Sequence, residues 1–147
     1  MKIFGIGTDI VNIKRIDRSL KKYGFTIKNK IFSKKEISYC EKRKNPSAFY
    51  AKRFAAKEAF SKALGTGIRK GINLKNIEVS NNIYGKPFIL VKGSVANYLK
   101  KKVKTKKYDI HLSLSDDKPW AQATVIISYN KWKIKLSITL KQYFTLW

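Results

Sequence analysis

"RFAAKEAFSKALGTG", residues 53–67, carries glutamate and lysine through a run of Ala, Phe and Leu, and how that run folds decides what the rest of the chain packs against. "KRKNPS" at 42–47 interrupts whatever precedes it, with Asn45 a candidate N-cap and Pro46 in the tolerated first helical position. The pattern predicts a helix over roughly 46–64, closed at "GTG" by Gly65 or Gly67. Ala55, Ala56, Ala59, Phe60, Ala63 and Leu64 make this helix apolar over most of its circumference, so much of it should be buried. At about 100° per residue, Glu58 and Lys62 then share one face beside Phe54 and Ala55. Two readings stand. The two charges form an exposed pair one turn apart, worth a few tenths of a kcal/mol, or they mark the rim of a cleft.

Working outward, residues 3–8 read as a short strand leading into a Gly-containing turn, and 13–23 place Ile13, Ile16, Leu20 and Tyr23 at helical spacing before Gly24. "SKKE" at 33–36 has the capping-box pattern, with Ser33 at N-cap and Glu36 at N3 of a short helix reaching about Lys42. Beyond the long helix, "IEVS" and "FILV" read as strands around the turn-rich "NNIYGKP", and a further helix is expected at 94–102. "YDIHLSLS" alternates strictly, with Ile110, Leu112 and Leu114 on one face and His111, Ser113 and Ser115 on the other, and "AQATVII" supplies a partner strand. Helices and antiparallel strands mix without regular βαβ alternation. The expected class is α+β, a long central helix packed on an antiparallel sheet. "WKIKLSITLK" at 132–141 alternates as well and predicts an extra strand.

The chain has 147 residues, 44% of them hydrophobic, enough for one ordinary domain. Its 33 basic residues against 9 acidic ones give a formal charge of +24, which favours anionic partners: nucleic acid, an acidic protein, a polyphosphate ligand or anionic lipid. Nearly all of the basic residues are Lys, with Arg only at positions 15, 18, 43, 53 and 69, a bias that an A/T-rich coding sequence also produces. Cys40 is alone, which excludes an internal disulfide and a CxxC pair and suits a reducing cytosol. Asp9 interrupts the apolar start where a signal peptide needs an unbroken core, and no apolar run approaches membrane-spanning length. A cytoplasmic protein with no membrane span is expected.

Asp9 in "GIGTDI" is the second acid of interest. Ordinarily an Asp there caps a helix start or closes a turn, and GxG alone is a weak phosphate-loop signal. Two isolated carboxylates in a basic chain nevertheless have the chemistry for Mg²⁺, a hard ion usually held by one or two carboxylates plus waters and substrate phosphates. One His and one Cys cannot furnish a typical zinc site. Asp9, Glu58 and Lys62 together would make a phosphate-activating centre, with metal on the carboxylates and lysine countering phosphoryl charge. Phosphoryl-type transfer and a Mg²⁺ nuclease both fit these groups. A basic nucleic-acid-binding protein is the alternative that the charge and interspersed aromatics support.

"GIGTDIVNIKRI" at 5–16, "RFAAKEAFSKALGTG" at 53–67, "GKPFI" at 85–89 and "HLSLSDDKPWAQATVII" at 111–127 closely resemble, in order and spacing, the holo-[acyl-carrier-protein] synthases, the small 4′-phosphopantetheinyl transferases. The resemblance spans about residues 1–128, leaving 129–147 as a C-terminal extension. It implies transfer of the 4′-phosphopantetheine arm of coenzyme A to a serine of apo acyl carrier protein, with Mg²⁺ required and adenosine 3′,5′-bisphosphate released. By that resemblance Asp9 and Glu58 ligate the metal, and Lys62 contacts the phosphates and helps protonate the leaving group. The carrier serine, deprotonated by a metal-associated water or a carboxylate, attacks the β-phosphorus of the pyrophosphate.

His111 falls where the family has a histidine facing the nucleotide phosphates. Arg53 and the run Lys42, Arg43 and Lys44 match positions that meet the 3′-phosphate, while Gly85, Lys86 and Pro87 match the adenosine-binding turn. Gly65, in the long-helix motif, belongs with the substrate-binding positions. Arg15, with Lys22 as a weaker companion, should face the acidic helix of acyl carrier protein. The family implies a homotrimer with active sites between subunits, so Asp9 and Glu58 need not share a site within one protomer. No specific nucleic-acid partner is implied. Asp116 departs from the pattern, standing where many relatives have a second histidine, and the resemblance gives it no role.

Overall fold

The structure, a computed structural model, describes residues 1–68, 71–105 and 107–130. The expected strand at 132–141 lies outside them. In chain order the elements are β1 (Lys2–Asn12), α1 (Ile13–Ile31), α2 (Lys34–Glu41), α3 (Pro46–Ala63), β2 (Ile77–Asn81), β3 (Pro87–Val91), α4 (Gly93–Val103), β4 (Tyr108–Asp117) and β5 (Trp120–Tyr129). β1, β5 and β4 form an antiparallel sheet in that order, and β2 and β3 form a separate hairpin. The fold is α+β, with α3 as the central helix against the larger sheet, as the apolar run at 55–64 predicts.

α3 can lie close to the sheet because both sides are small. Ala55, Ala56, Ala59 and Ala63 are buried on the helix, and Ala121 and Ala123 face them from β5. On β1 the decisive residues are Gly5 and Gly7. A Cβ on Gly5 would run into the carbonyl of Ala63, and one on Gly7 into the carbonyl of Ala59. These glycines admit a helix backbone rather than make a turn, and the strand continues through them to Asn12. The expected strand at 3–8 was therefore too short. Asn12, not Asp9, caps α1, its side chain accepting from the backbone N–H groups of Lys14 (2.9 Å) and Arg15 (3.3 Å).

α1 also outlasts its expected end. Gly24 takes φ 49° and ψ −127°, a kink that only glycine accommodates easily, and the helix resumes to Ile31. The Ser33–Glu36 capping box forms as expected. Asn45 precedes α3 without a side-chain capping bond, contrary to the sequence reading, and Pro46 alone marks the start. Gly65, at φ 79°, follows Leu64, the C-cap of the helix, resolving the choice of terminating glycine in its favour.

Beneath the helices lies an ion pair that periodicity did not reveal. Lys57 is 0% and Glu36 1% exposed, their charged atoms 2.8 Å apart. The Lys57 ammonium also donates to the carbonyls of Leu74 (2.9 Å) and Ile77 (2.6 Å), while Glu36 accepts from the backbone N–H groups of Ser33 (2.8 Å) and Val79 (3.0 Å). Burial pulls the lysine below its usual range, and Glu36 opposes that shift. Satisfied on both sides, the pair fastens α2, α3 and the start of β2 together.

The larger sheet has one covered and one open face. Gly7, Asp9 and Val11 of β1 turn toward α3 with Ala121, Ala123 and Val125 of β5. Ile6, Thr8 and Ile10 turn outward with Ile126, Thr124 and Gln122, and Ile6 and Ile10 are each 60% exposed. Among the described residues, no helix is long and apolar enough to cross a membrane.

Candidate active site

Asp9 sits on the α3-facing side of β1, held there by the strand's pairing with Ala123. The Lys62 ammonium reaches from the last turn of α3 to the Asp9 carboxylate (2.8 Å) and to the carbonyl of Thr8 (3.0 Å). Glu58, one turn back on the same helix, is half-buried, and its carboxyl is raised above the usual range. Burial is the main cause and the Asp9 charge the next, with Lys62 and Arg15 pulling the other way. The exposed Glu58–Lys62 pair weighed from sequence is not what forms: Lys62 pairs with Asp9. The two acids thus lie within electrostatic reach of each other and of Lys62 in a single protomer, although the resemblance allowed them to be separate.

This arrangement is an electrostatic frustration with a chemical use. The Asp9 charge opposes ionisation of Glu58, while the Lys62 ammonium is bonded to Asp9 alone of the two acids and is itself half exposed. A divalent cation would relieve that opposition. Both donors are hard oxygens, as Mg²⁺ prefers, and no group of three or more potential ligands occurs among the described residues. The protein's share of such a site would be two carboxylates, leaving other positions for water and phosphate oxygens.

A second group gathers elsewhere. A groove of about 510 Å³ between the β2–β3 hairpin and β4 is lined by Lys86, Pro87, His111 and Ser113, among others. Gly85, at φ 81°, makes the hairpin turn whose carbonyl accepts from Asn81 (2.8 Å). The His111 ring lies 3.2 Å from the Ser128 hydroxyl, a partner that strand alternation did not single out. His111 belongs to the outer face of the sheet, in register with Ile126 and hence Ile6, whereas Asp9 belongs to the inner face. The two groups are on opposite sides of one sheet.

The remaining expected residues divide by exposure. Lys42, Arg43 and Lys44 are exposed between α2 and α3, and Lys42 and Arg43 border a depression with Lys34, Lys35, Ser38 and Tyr39. Arg53 is 2% exposed, donating to Asn81 (3.1 Å) and to the carbonyl of Phe49 (3.4 Å), so it is an internal cation rather than an open one. Arg15 and Lys22 are exposed on α1 with Lys14, Arg18 and Lys21. Asp116 accepts from Lys52 of α3 at 2.7 Å, which ties the end of β4 to the central helix. Cys40 is fully buried and its thiol is pushed up to about 12, so the single cysteine is inert.

Residues 5–125, which contain both groups, match the sequence pattern of the 4′-phosphopantetheinyl transferase superfamily. The holo-[acyl-carrier-protein] synthase of Dinoroseobacter shibae is 46% identical over 127 residues, covering 86% of this chain and 91% of its own. That of Wolbachia pipientis is 49% identical over 128 residues, covering 85% and 97%. Among solved structures, the Neisseria meningitidis holo-[acyl-carrier-protein] synthase matches with a TM-score of 0.78 at 37% identity, over 86% of this chain and 99% of that one. The Helicobacter pylori synthase, in complex with coenzyme A, matches with 0.72 at 32% identity, over 84% and 99%. The chain belongs to the 4′-phosphopantetheinyl transferase superfamily, and within it to the holo-[acyl-carrier-protein] synthases. It is an enzyme of that class.

Proposed function

We propose that this chain transfers the 4′-phosphopantetheine group from coenzyme A to a serine of apo acyl carrier protein, with Mg²⁺ required and adenosine 3′,5′-bisphosphate released. The observation that carries the reading is the Asp9–Lys62–Glu58 cluster at the junction of β1 and α3, in a chain whose relative binds coenzyme A. Asp9 and Glu58 are the residues that would hold the metal. When bound, Mg²⁺ neutralises pyrophosphate charge and polarises the phosphorus under attack.

The protein's own groups do the rest. The Lys62 ammonium, anchored to Asp9 and the Thr8 carbonyl but half exposed, is positioned to donate to a phosphate oxygen and to supply a proton to the departing bisphosphate. Lys42, Arg43 and Lys44 supply positive charge for the 3′-phosphate, and Gly85, Lys86 and Pro87 border the adenosine. Arg53 acts from beneath, holding Asn81 at the base of the hairpin. Gly65 lets the chain turn away after Lys62, keeping a side chain out of the substrate's path.

A site that uses His111 along with Glu58 must draw them from two chains, because they lie on opposite sides of the sheet. The apolar outer face of β1 and β5 favours such an assembly, and a homotrimer with the active site between subunits fits it. The exposed basic row on α1, led by Arg15, suits an acidic carrier helix. An inert buried thiol is compatible with a reducing cytoplasm.

Labelled coenzyme A tests the metal-site assignment. Asp9→Asn and Glu58→Gln should each lower Mg²⁺-dependent transfer to the carrier by about 10²–10³-fold, with thermal unfolding intact. Turnover near the parent rate in either folded variant would refute the assignment.

A further inference from the structure

Two guanidinium groups converge on one ring. The central carbons of Arg43 and Arg53 each lie 4.1 Å from the Tyr39 ring centroid, and Arg43 lies 5.5 Å from that of Phe49. Tyr39, on α2, and Phe49, on α3, are themselves an aromatic pair with centroids 6.0 Å apart and planes tilted by 60°. The two cations have different surroundings. Arg53 is buried and bonded to Asn81 and the carbonyl of Phe49, whereas Arg43 is exposed at the edge of the basic depression of about 550 Å³. Among the described residues neither is within ion-pair distance of a carboxylate.

An exposed arginine normally spreads over many rotamers, and an anion that binds it must first collect them. A ring beneath the guanidinium removes much of that freedom. It holds the group through its face, by attraction between the cation and the π quadrupole, and leaves the N–H donors around the edge free for the paired oxygens of a phosphate. Tyr39 cannot drift, because Arg53 and Phe49 brace it.

We propose that Tyr39 is a positioning residue that sets selectivity for the 3′-phosphate of coenzyme A, by fixing the Arg43 guanidinium over its ring at the border of the depression. The inference rests on the reading that Lys42, Arg43 and Lys44 meet that phosphate. Its signature is a loss confined to KM for the substrate that carries the 3′-phosphate.

The test compares kcat and KM for coenzyme A and for 3′-dephospho-coenzyme A, with apo carrier and Mg²⁺, in the full chain and its variants. Tyr39→Leu should raise KM for coenzyme A roughly tenfold, leaving kcat and KM for the dephospho substrate unchanged. Tyr39→Phe, which keeps the ring, should restore the selectivity. Combined with Arg43→Ala, Tyr39→Leu should add nothing further, since Tyr39 acts through Arg43. An equal rise of KM for both substrates, or additive losses in the double variant, would overturn the proposal. Should Tyr39→Leu fail to fold, pentafluorophenylalanine at position 39 keeps the ring's shape while making its face electron-poor. The same selective loss is expected, and unchanged selectivity would overturn the proposal. A parent protein that does not distinguish the two substrates would remove the underlying 3′-phosphate reading, and the inference with it.

Discussion

Gly7 shows how one missing methyl group can position chemistry two residues away. A Cβ there would meet the carbonyl of Ala59 and the amide nitrogen of Ala63, neither of which can swing aside as a side chain would. Gly7→Ala must therefore push β1 from α3, at a cost of about 1–3 kcal/mol, and carry Asp9 away from Glu58 and Lys62. Chemical denaturation should show the lost stability, and transfer activity should fall by more than the unfolded fraction explains. An alanine variant as stable and active as the parent would contradict this account of the close packing. At this scale much was legible: Asp9, Glu58 and Lys62 stood out as charges at the edge of apolar segments. Their pairing was not, because helical spacing brings Lys62 beside Glu58 while the tertiary approach of β1 offers it Asp9.

At the scale of elements, polar groups buried between helices decide how the frame is tied. Removing the ammonium in Lys57→Met leaves Glu36 charged at the junction and should cost about 3–5 kcal/mol. Adding Glu36→Gln should recover part of that loss in urea unfolding. No recovery would mean that the buried charge is not the source of the penalty. Glu41 ties α1 to α3 more exposedly, accepting from Lys28 (2.6 Å) and from the Tyr50 hydroxyl (2.7 Å). Those two hydrogen bonds hold its carboxyl below the ordinary value of 4.5. Because the folded form has the lower pKa, its contribution is present above the ordinary value and lost as pH falls through the depressed one. The melting difference between the parent and Glu41→Gln should be present at pH 7 and vanish in acid. A difference independent of pH would contradict the assignment. Periodicity, the Ser33–Glu36 capping box and the Pro and Gly boundary signals located α1 to α4 and the strands of both sheets, but not the short 3-10 turn at Leu74–Asn76. They also missed the continuation of α1 beyond Gly24 and of β1 beyond its glycines, where glycine permits a kink in one case and a close approach in the other. Only tertiary packing distinguishes those uses.

For the whole molecule, the open face of the sheet and the separation of the site into two groups lead to the same expectation. Ile6→Asp with Ile10→Asp, both exposed in the protomer, should leave the fold intact yet convert the proposed trimer to monomers in light scattering, with transfer activity lost alongside. A trimer that survives both substitutions would put the interface elsewhere. The +24 charge gives the same surface logic a longer range: an acidic carrier and coenzyme A should both be attracted, and the attraction should weaken with salt. The most direct test of the central claim is the intact mass of apo acyl carrier protein after incubation with this protein, coenzyme A and Mg²⁺, beside an EDTA control. A gain of about 340 Da, the mass of the phosphopantetheine arm, only when the metal is present is the predicted result. An unchanged mass on a carrier that a known synthase modifies, or an equal gain in EDTA, would contradict the Mg²⁺-dependent transfer assigned to Asp9, Glu58 and Lys62.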